Sequence, residues 1–233
     1  MNKKGRYSKK RGRGNARGRA GNRRARQQAL YIRAGIAILV ILTIALIVYR
    51  CASGGEKAFG KIDADASKPE IDVQLLDVNP YSRPGTETET ITGIVVHYTA
   101  NPGSTAQQNR DYFNGLKDSH ETEASSNFIV GLDGEIIQCV PTWEMAYASN
   151  SRNIDTVSIE CCHPDESGKF TDETYESLVQ LTAWLCVKFD LTEEQIIRHY
   201  DVTGKNCPKY FVENEDAWEE FKANVGRAIE KGG

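Results

Sequence analysis

The sequence predicts an α/β domain, a mixed β-sheet flanked by helices, preceded by a single transmembrane helix. Three observations predict it. Beyond about Thr90, β-branched runs interleave with helical apolar stripes. One pair of runs is joined by a tight Asp-Gly reversal, so at least one pair of strands is antiparallel. An uncharged apolar run separates this region from a strongly basic N-terminus.

Residues 1–33 hold thirteen of the 29 Lys and Arg and none of the 32 Asp and Glu, so the remainder is strongly acidic. Such a split implies two environments along one chain. The boundary is AGIAILVILTIALIVY, Ala34 to Tyr49, flanked by Arg33 and Arg50. At 1.5 Å per residue it spans roughly 24 Å, a little short of a bilayer's hydrocarbon core. Snorkelling arginines and the weakly polar CASGG that follows make up the difference. The cations place the N-terminus in the cytoplasm and everything after Arg50 outside. A cleaved signal peptide is the competing reading, but the basic region is very long for one and no clear A-x-A site follows. Cys51 is no lipidation site, because Arg50 stands where a small residue is needed.

The tail KKRGRGNARGRAGNRRARQ is Arg/Gly-rich and is expected to be disordered. It sets topology, with anionic lipid headgroups or nucleic acid as further candidate contacts, and nothing in it reads a base sequence. Residues 50–74 read as an extracellular tether of Gly, Ala, Ser, Asp and Lys, with an apolar cluster from Ile71 to Leu76. The domain is expected over 75–230, with NPYSRPG (Asn79 to Gly85) extended along its edge.

Within the domain, ITGIVVHYT reads as a buried strand. Ser104-x-x-Gln107 is a capping-box signature opening a helix that carries Tyr112, Phe113 and Leu116. SNFIVGLDGEIIQCV reads as a hairpin turning at Leu132-Asp133-Gly134, and TVSIECC as a further strand. Tyr175, Leu178, Leu181, Leu185 and Phe189 mark one helical stripe, and Trp218, Phe221, Val225 and Ile229 a second. Both are read as core packing.

The chain has only four histidines, His97, His120, His163 and His199. His97 ends an apolar strand, where a polar side chain is costly without a partner, and it faces the same side as Val95 and Thr99. His199 and Cys207 lie in RHYDVTGKNCP, eight apart across a glycine-containing turn, a gap that suits a loop folding back on an ion. Hydrolytic zinc sites use three such donors and keep a fourth position open. Spacing alone is weak evidence, since a His–Cys pair is also found in structural roles.

Four stretches occur in order: GIVVHYTANPGSTAQQN, SSNFIVGLDGEIIQ, SIECCHPDESGKFTDETYESL and IRHYDVTGKNCP. Together they resemble the zinc-dependent N-acetylmuramoyl-L-alanine amidases shared by phage lysozyme-amidases and peptidoglycan recognition proteins, from about Asn79 to Ile229. The resemblance implies a Zn2+ held by His97, His199 and Cys207, the last in a position where the family has either Asp or Cys. Two neutral imidazoles and one thiolate leave zinc a net charge near +1, enough to acidify water towards a pKa of ~7 and to polarise a carbonyl. Glu160, on the strand face of Ser158 and Cys162, matches the catalytic base of part of the family. Lys205 resembles the lysine that holds the oxyanion. Some members carry a catalytic tyrosine before the Phe-Ile of the hairpin. Here Ser126-Asn127-Phe128 stands in its place, which favours the branch using Glu160.

The implied function is a hydrolase on the outer face of a bacterial cell membrane that cuts peptidoglycan between N-acetylmuramic acid and L-alanine. A non-catalytic peptidoglycan receptor using the same groove is the alternative, and a nucleic-acid or membrane adaptor acting through the basic tail is a further rival. Tyr98 and Tyr200 flank the ligands and are expected to pack or orient them. His120 is expected to be an exposed loop residue and His163 to sit on the groove rim. Trp143, Tyr147 and Asn150 are candidates to line the groove. Cys139, Cys161, Cys162 and Cys186 allow three disulfide pairings or buried free thiols.

Overall fold

The computed structural model describes residues 30–45, 59–60 and 62–232. The chain divides into two units, Met1–Lys57 and Ala58–Gly233. In the first, residues 30–45 form helix α1, with its side chains exposed. The apolar run continues through 46–49, which lie outside the described residues, as do the basic tail over 1–29 and Cys51. Among the described residues no helix is long and apolar enough to cross a membrane.

The second unit holds a six-stranded sheet of β1 (Asp72–Val73), β2 (Gly93–Tyr98), β3 (Phe128–Val130), β4 (Ile136–Gln138), β5 (Thr156–Cys161) and β6 (Ile196–Arg198). The spatial order is β1-β4-β3-β5-β2-β6. Only β3 and β4 pair antiparallel, as the hairpin signal predicted, and the other pairs are parallel. Parallel neighbours need long crossovers. Helices α2 (Ala106–Ser119) and α3 (Asp172–Phe189) lie in two of them, and α4 (His199–Thr203), α5 (Lys209–Glu213) and α6 (Glu215–Gly232) follow β6. Strands β2 and β5 are central and covered on both faces, which is why GIVVHY and TVSIEC read as nearly continuous apolar runs.

The sheet separates two cores. On one face Ile94, Val96, Val157, Ile159 and Cys161 pack against Tyr175, Leu178 and Leu181 of α3 and Phe221 and Val225 of α6. On the other, Ile129, Ile137, Cys139 and Cys162 pack against Phe113 and Leu116 of α2. Cys161 and Cys162 therefore point to opposite faces, as strand alternation requires.

One local expectation shifts at the start of α2. The capping box of α2 is one residue later than Ser104-x-x-Gln107. Thr105 accepts from the Gln108 N–H while the Gln108 side chain accepts from the Thr105 N–H. Ser104 is drawn away because its hydroxyl donates to Asn101 O. The hairpin turn is as expected, and Gly134 is required there. Its φ is +82°, and a Cβ would meet Glu173 O at 2.9 Å.

The tether expected over 50–74 is shorter, because residues from Phe59 onward belong to the domain. Phe59 is 4 % exposed and lies flat on Tyr175, with ring centroids 3.6 Å apart. Ala64 and Ala66 are buried against the same core, and Asp72–Val73 adds an edge strand to β4. The polar composition hid this, because small alanines and one aromatic ring suffice to cover a helix surface. Asn79–Gly85 is not simply extended either. Asn79 and Arg83 close a tight bridge, and Arg83 pairs with Glu144 at 2.7 Å.

Candidate metal centre

His97 is the penultimate residue of β2 and Glu160 the penultimate residue of β5, and the two are register partners across that parallel pair. Partners in register share a sheet face, so both side chains project on the α2 side. His199 opens α4 directly after β6. Three parallel strands thus deliver their groups at their carboxyl ends, where open α/β sheets form crevices. Cys207 arrives from the loop between α4 and α5. Gly204, with φ +77°, ends α4 and lets the chain turn back, and the Tyr200 N–H then donates to Cys207 O at 2.8 Å.

One donor atom from each of His97, His199 and Cys207 lies within 4.8 Å of the others, and all three residues are buried. Cys207 Sγ is 3.8 Å from His97 Nδ1, and the two imidazole rings sit 4.7 Å apart. A tetrahedral zinc holds its donors roughly 3.3–3.7 Å apart, given bonds of about 2.0–2.3 Å. The triad fits such an ion with an adjustment of at most about 1.5 Å. The outward nitrogens are already engaged. His97 Nε2 is 3.1 Å from Ser149 Oγ, and His199 Nε2 is 2.8 Å from Asn150 Oδ1. With the amide oxygen accepting, His199 would carry its proton on Nε2 and leave the Nδ1 lone pair free for an ion, the arrangement expected around a bound metal.

Electrostatics suit the same donor set. Burial, reinforced by His199 and Lys205, holds the His97 pKa well below its usual value. Burial and Lys205 lower that of His199 as well. Both rings are therefore neutral ligands at neutral pH. Burial pushes the Cys207 thiol up to about 12, with Glu160 adding to it, while a hydrogen bond from the Tyr98 N–H and the charge of Lys205 oppose it. Without a cation the sulfur keeps its proton, and a metal has to displace it. Burial also raises the Glu160 carboxyl to about 8, against the pull of Lys205. Glu160 Oε2 is buried and has no hydrogen-bond partner among the described residues. Such an oxygen is costly to leave unsatisfied, and here it stands beside the triad.

Residues 87–210 match the profile of the N-acetylmuramoyl-L-alanine amidase family (Amidase_2), and this stretch contains the whole triad. The chain belongs to that family. N-acetylmuramoyl-L-alanine amidase CwlL of Bacillus licheniformis is 34 % identical over 163 residues, covering 65 % of this chain and 45 % of that protein. BlyA of Bacillus subtilis is 31 % identical over 182 residues, covering 67 % and 48 %. The chain thus spans about half the length of these relatives. Among solved structures, the catalytic domain of XlyA superposes with a TM-score of 0.59 at 26 % identity, covering 68 % of this chain and all of that one.

Within this amidase-family domain the other expected residues divide clearly. Lys205 is exposed, two residues before Cys207, and has no ion pair among the described residues. The tyrosine-less hairpin entry is explained by packing. Asn127 Nδ2 donates to Pro141 O at 3.1 Å and to Glu144 O at 3.3 Å, and Ser126 Oγ donates to Ser158 O at 3.0 Å. Tyr98 and Tyr200 orient Cys207 through their backbone N–H groups. Tyr147 and Asn150 line a cavity of about 230 Å³ with Glu123, Ala148 and Asn153, whereas Trp143 is 64 % exposed and outside it. His120 is exposed and stacks on Tyr81.

His163 is a correction. It is buried rather than on a rim, with Nδ1 against Asp165 O at 2.8 Å and its ring tilted over Tyr98. Cys139, Cys161, Cys162, Cys186 and Cys207 are free thiols, so no disulfide joins them. Burial pushes the Cys162 thiol up to about 12 and Cys161 well above its ordinary value, which holds both as thiols.

Sequence reasoning did not find Ser149. The signal was its position beside Asn150, in a polar SNSRN stretch with no apolar period. Asn150 sits at φ +54°, a conformation asparagine tolerates.

Proposed function

We propose that this protein is a zinc-dependent peptidoglycan hydrolase that cleaves the amide between the lactyl group of N-acetylmuramic acid and L-alanine. We also propose that Ala34–Tyr49 anchors it in a bacterial cell membrane, with the basic tail inside and the hydrolase domain outside. The observation that supports the chemistry is the convergence of His97, His199 and Cys207 beside the register partner of one of them, Glu160. Zinc in this cage supplies Lewis acidity, polarising the scissile carbonyl and acidifying water. With a cation in the cage the Glu160 carboxyl, which burial raises to about 8 in the metal-free protein, would ionise, and it would then take the proton of the attacking water and pass it to the leaving nitrogen. Lys205 presents its ammonium to the oxygen that gains charge as the carbonyl carbon becomes tetrahedral. The support for the anchor is the uncharged run itself, flanked by Arg33 and Arg50 and preceded by a cation-only segment.

The deciding experiment incubates the protein with purified peptidoglycan and assays for newly exposed N-terminal alanine. Release that is abolished by chelation and restored by zinc is the expected result. Retention on the wall with no new alanine ends would replace the hydrolase with a receptor. Recovery of the full chain in the soluble fraction of a lysed cell would remove the anchor without touching the chemistry.

A further inference from the structure

The stretch from Arg198 to Phe211 is a closed loop that presents both His199 and Cys207, and one side chain ties its ends. Arg198 Nη1 donates to Phe211 O at 3.2 Å, joining the first residue of the stretch to the last. The same nitrogen reaches Glu215 Oε2 at 2.6 Å, on the first turn of α6. The Asp201 carboxylate is gripped three times. It accepts from the Arg198 backbone N–H at 2.8 Å, from Nε at 3.2 Å and from Nη2 at 3.0 Å. The guanidinium lies over the rings of Tyr200 and Trp218, 5.4 and 5.3 Å from their centroids. Arg198 is only 7 % exposed. A buried cation this heavily bonded is far more than a surface ion pair.

No donor of Arg198 points at the candidate metal. Its side chain shares the sheet face of Val96, its register partner, away from His97. It determines instead where the loop begins and ends. His199 follows it directly, and Cys207 is suspended between the end of α4 and α5, four residues before the carbonyl that Arg198 holds. We propose that Arg198 is a positioning residue that sets the separation of His199 and Cys207 and so the affinity of the cage for zinc. This inference rests on the zinc reading above. Arginine is required because the role needs several donors in one plane and a face that stacks on aromatic rings. A lysine ammonium offers neither.

The test compares the full wild-type chain with Arg198→Lys. Zinc affinity is read by competition with a chromophoric chelator, and site geometry by the visible absorption of the Co(II)-substituted protein. Folding of the metal-free chains is followed by circular dichroism. The expected result is a folded variant that binds zinc about 10–100-fold more weakly, with a shifted Co(II)-thiolate band. A folded variant with wild-type affinity and an unchanged band overturns the proposal. Should Arg198→Lys not fold, Asp201→Asn decides by the same two readouts. Asp201 is partly exposed, so its loss is tolerated more easily. Failure of the wild-type chain to bind zinc would instead overturn the zinc reading itself.

Discussion

His97 and Glu160 are register partners in the centre of the sheet. One is a neutral imidazole and the other a carboxyl whose pKa burial raises, both on the same face at the carboxyl ends of parallel strands. A carboxyl placed one strand away from His97 would lie within reach of a water on a metal held there. Replacing Glu160 by Gln keeps the shape and removes the proposed base. We expect the rate of alanine release to fall about 10²–10⁴-fold, while zinc stoichiometry by atomic absorption is unchanged. Full activity in this variant would reassign the base.

Burial of Glu160 also makes the metal-free protein sensitive to pH. Burial raises its folded pKa to about 8 from an ordinary value of 4.5. Between those values the folded state binds a proton that the unfolded chain has lost, so its stability falls as pH rises from about 4.5 to 8. The limiting slope is about 1.4 kcal/mol per pH unit. His97 and His199 act in the opposite sense, because their folded pKa values are lowered. The wild-type minus Glu160→Gln difference, from urea unfolding with chelator present, isolates the Glu160 contribution. A difference that does not vary with pH would show the carboxyl to be ionised throughout.

Zinc binding is expected to release a proton from Cys207, whose thiol burial pushes up to about 12, and none from the two imidazoles. In a Glu160→Gln background, affinity should rise about tenfold per pH unit between pH 7 and 8. Calorimetry in buffers of different ionisation enthalpy counts the proton directly, and a count of zero would mean that sulfur is not a ligand.

Asn150 Oδ1 lies 2.8 Å from His199 Nε2, which leaves the opposite ring nitrogen free for an ion. Asn150→Ala is expected to weaken zinc binding about 10–100-fold with little change in the unfolding of the metal-free chain. Equal affinity would show that the ring is oriented by its backbone alone.

Phe59 lies upstream of the family-matched region but inside the hydrophobic core. Phe59→Ala should destabilise the domain by about 3–5 kcal/mol, the range for truncating a buried aromatic side chain. Thermal unfolding measures it. A change below about 1 kcal/mol would put the segment back with the tether.

The domain's architecture was legible because its elements carry local signals. GIVVHY and TVSIEC are β-branched runs, Asp133-Gly134 satisfies a turn that only glycine fits, and Tyr175 to Leu185 follow the helical period. The three donors were legible by type, since few histidines were available and one stood in an apolar strand. The capping box slipped by one residue because Ser104 and Thr105 are chemically equivalent caps, and only the Asn101 carbonyl chooses between them. Phe59 and its alanines were hidden because short apolar groups in a polar stretch have no period to read.

What the sequence alone determined was which chemical groups exist and which elements carry them: two imidazoles, one thiol, one strand carboxylate and a cation-flanked apolar run. The tertiary structure decided their convergence, with Cys207 brought to His97 across 110 positions of chain. It also decided that burial raises the Glu160 carboxyl and that His163 is packed away. Distances between strands and the loss of solvent around a side chain are set by packing many residues at once, so no short stretch of sequence contains them.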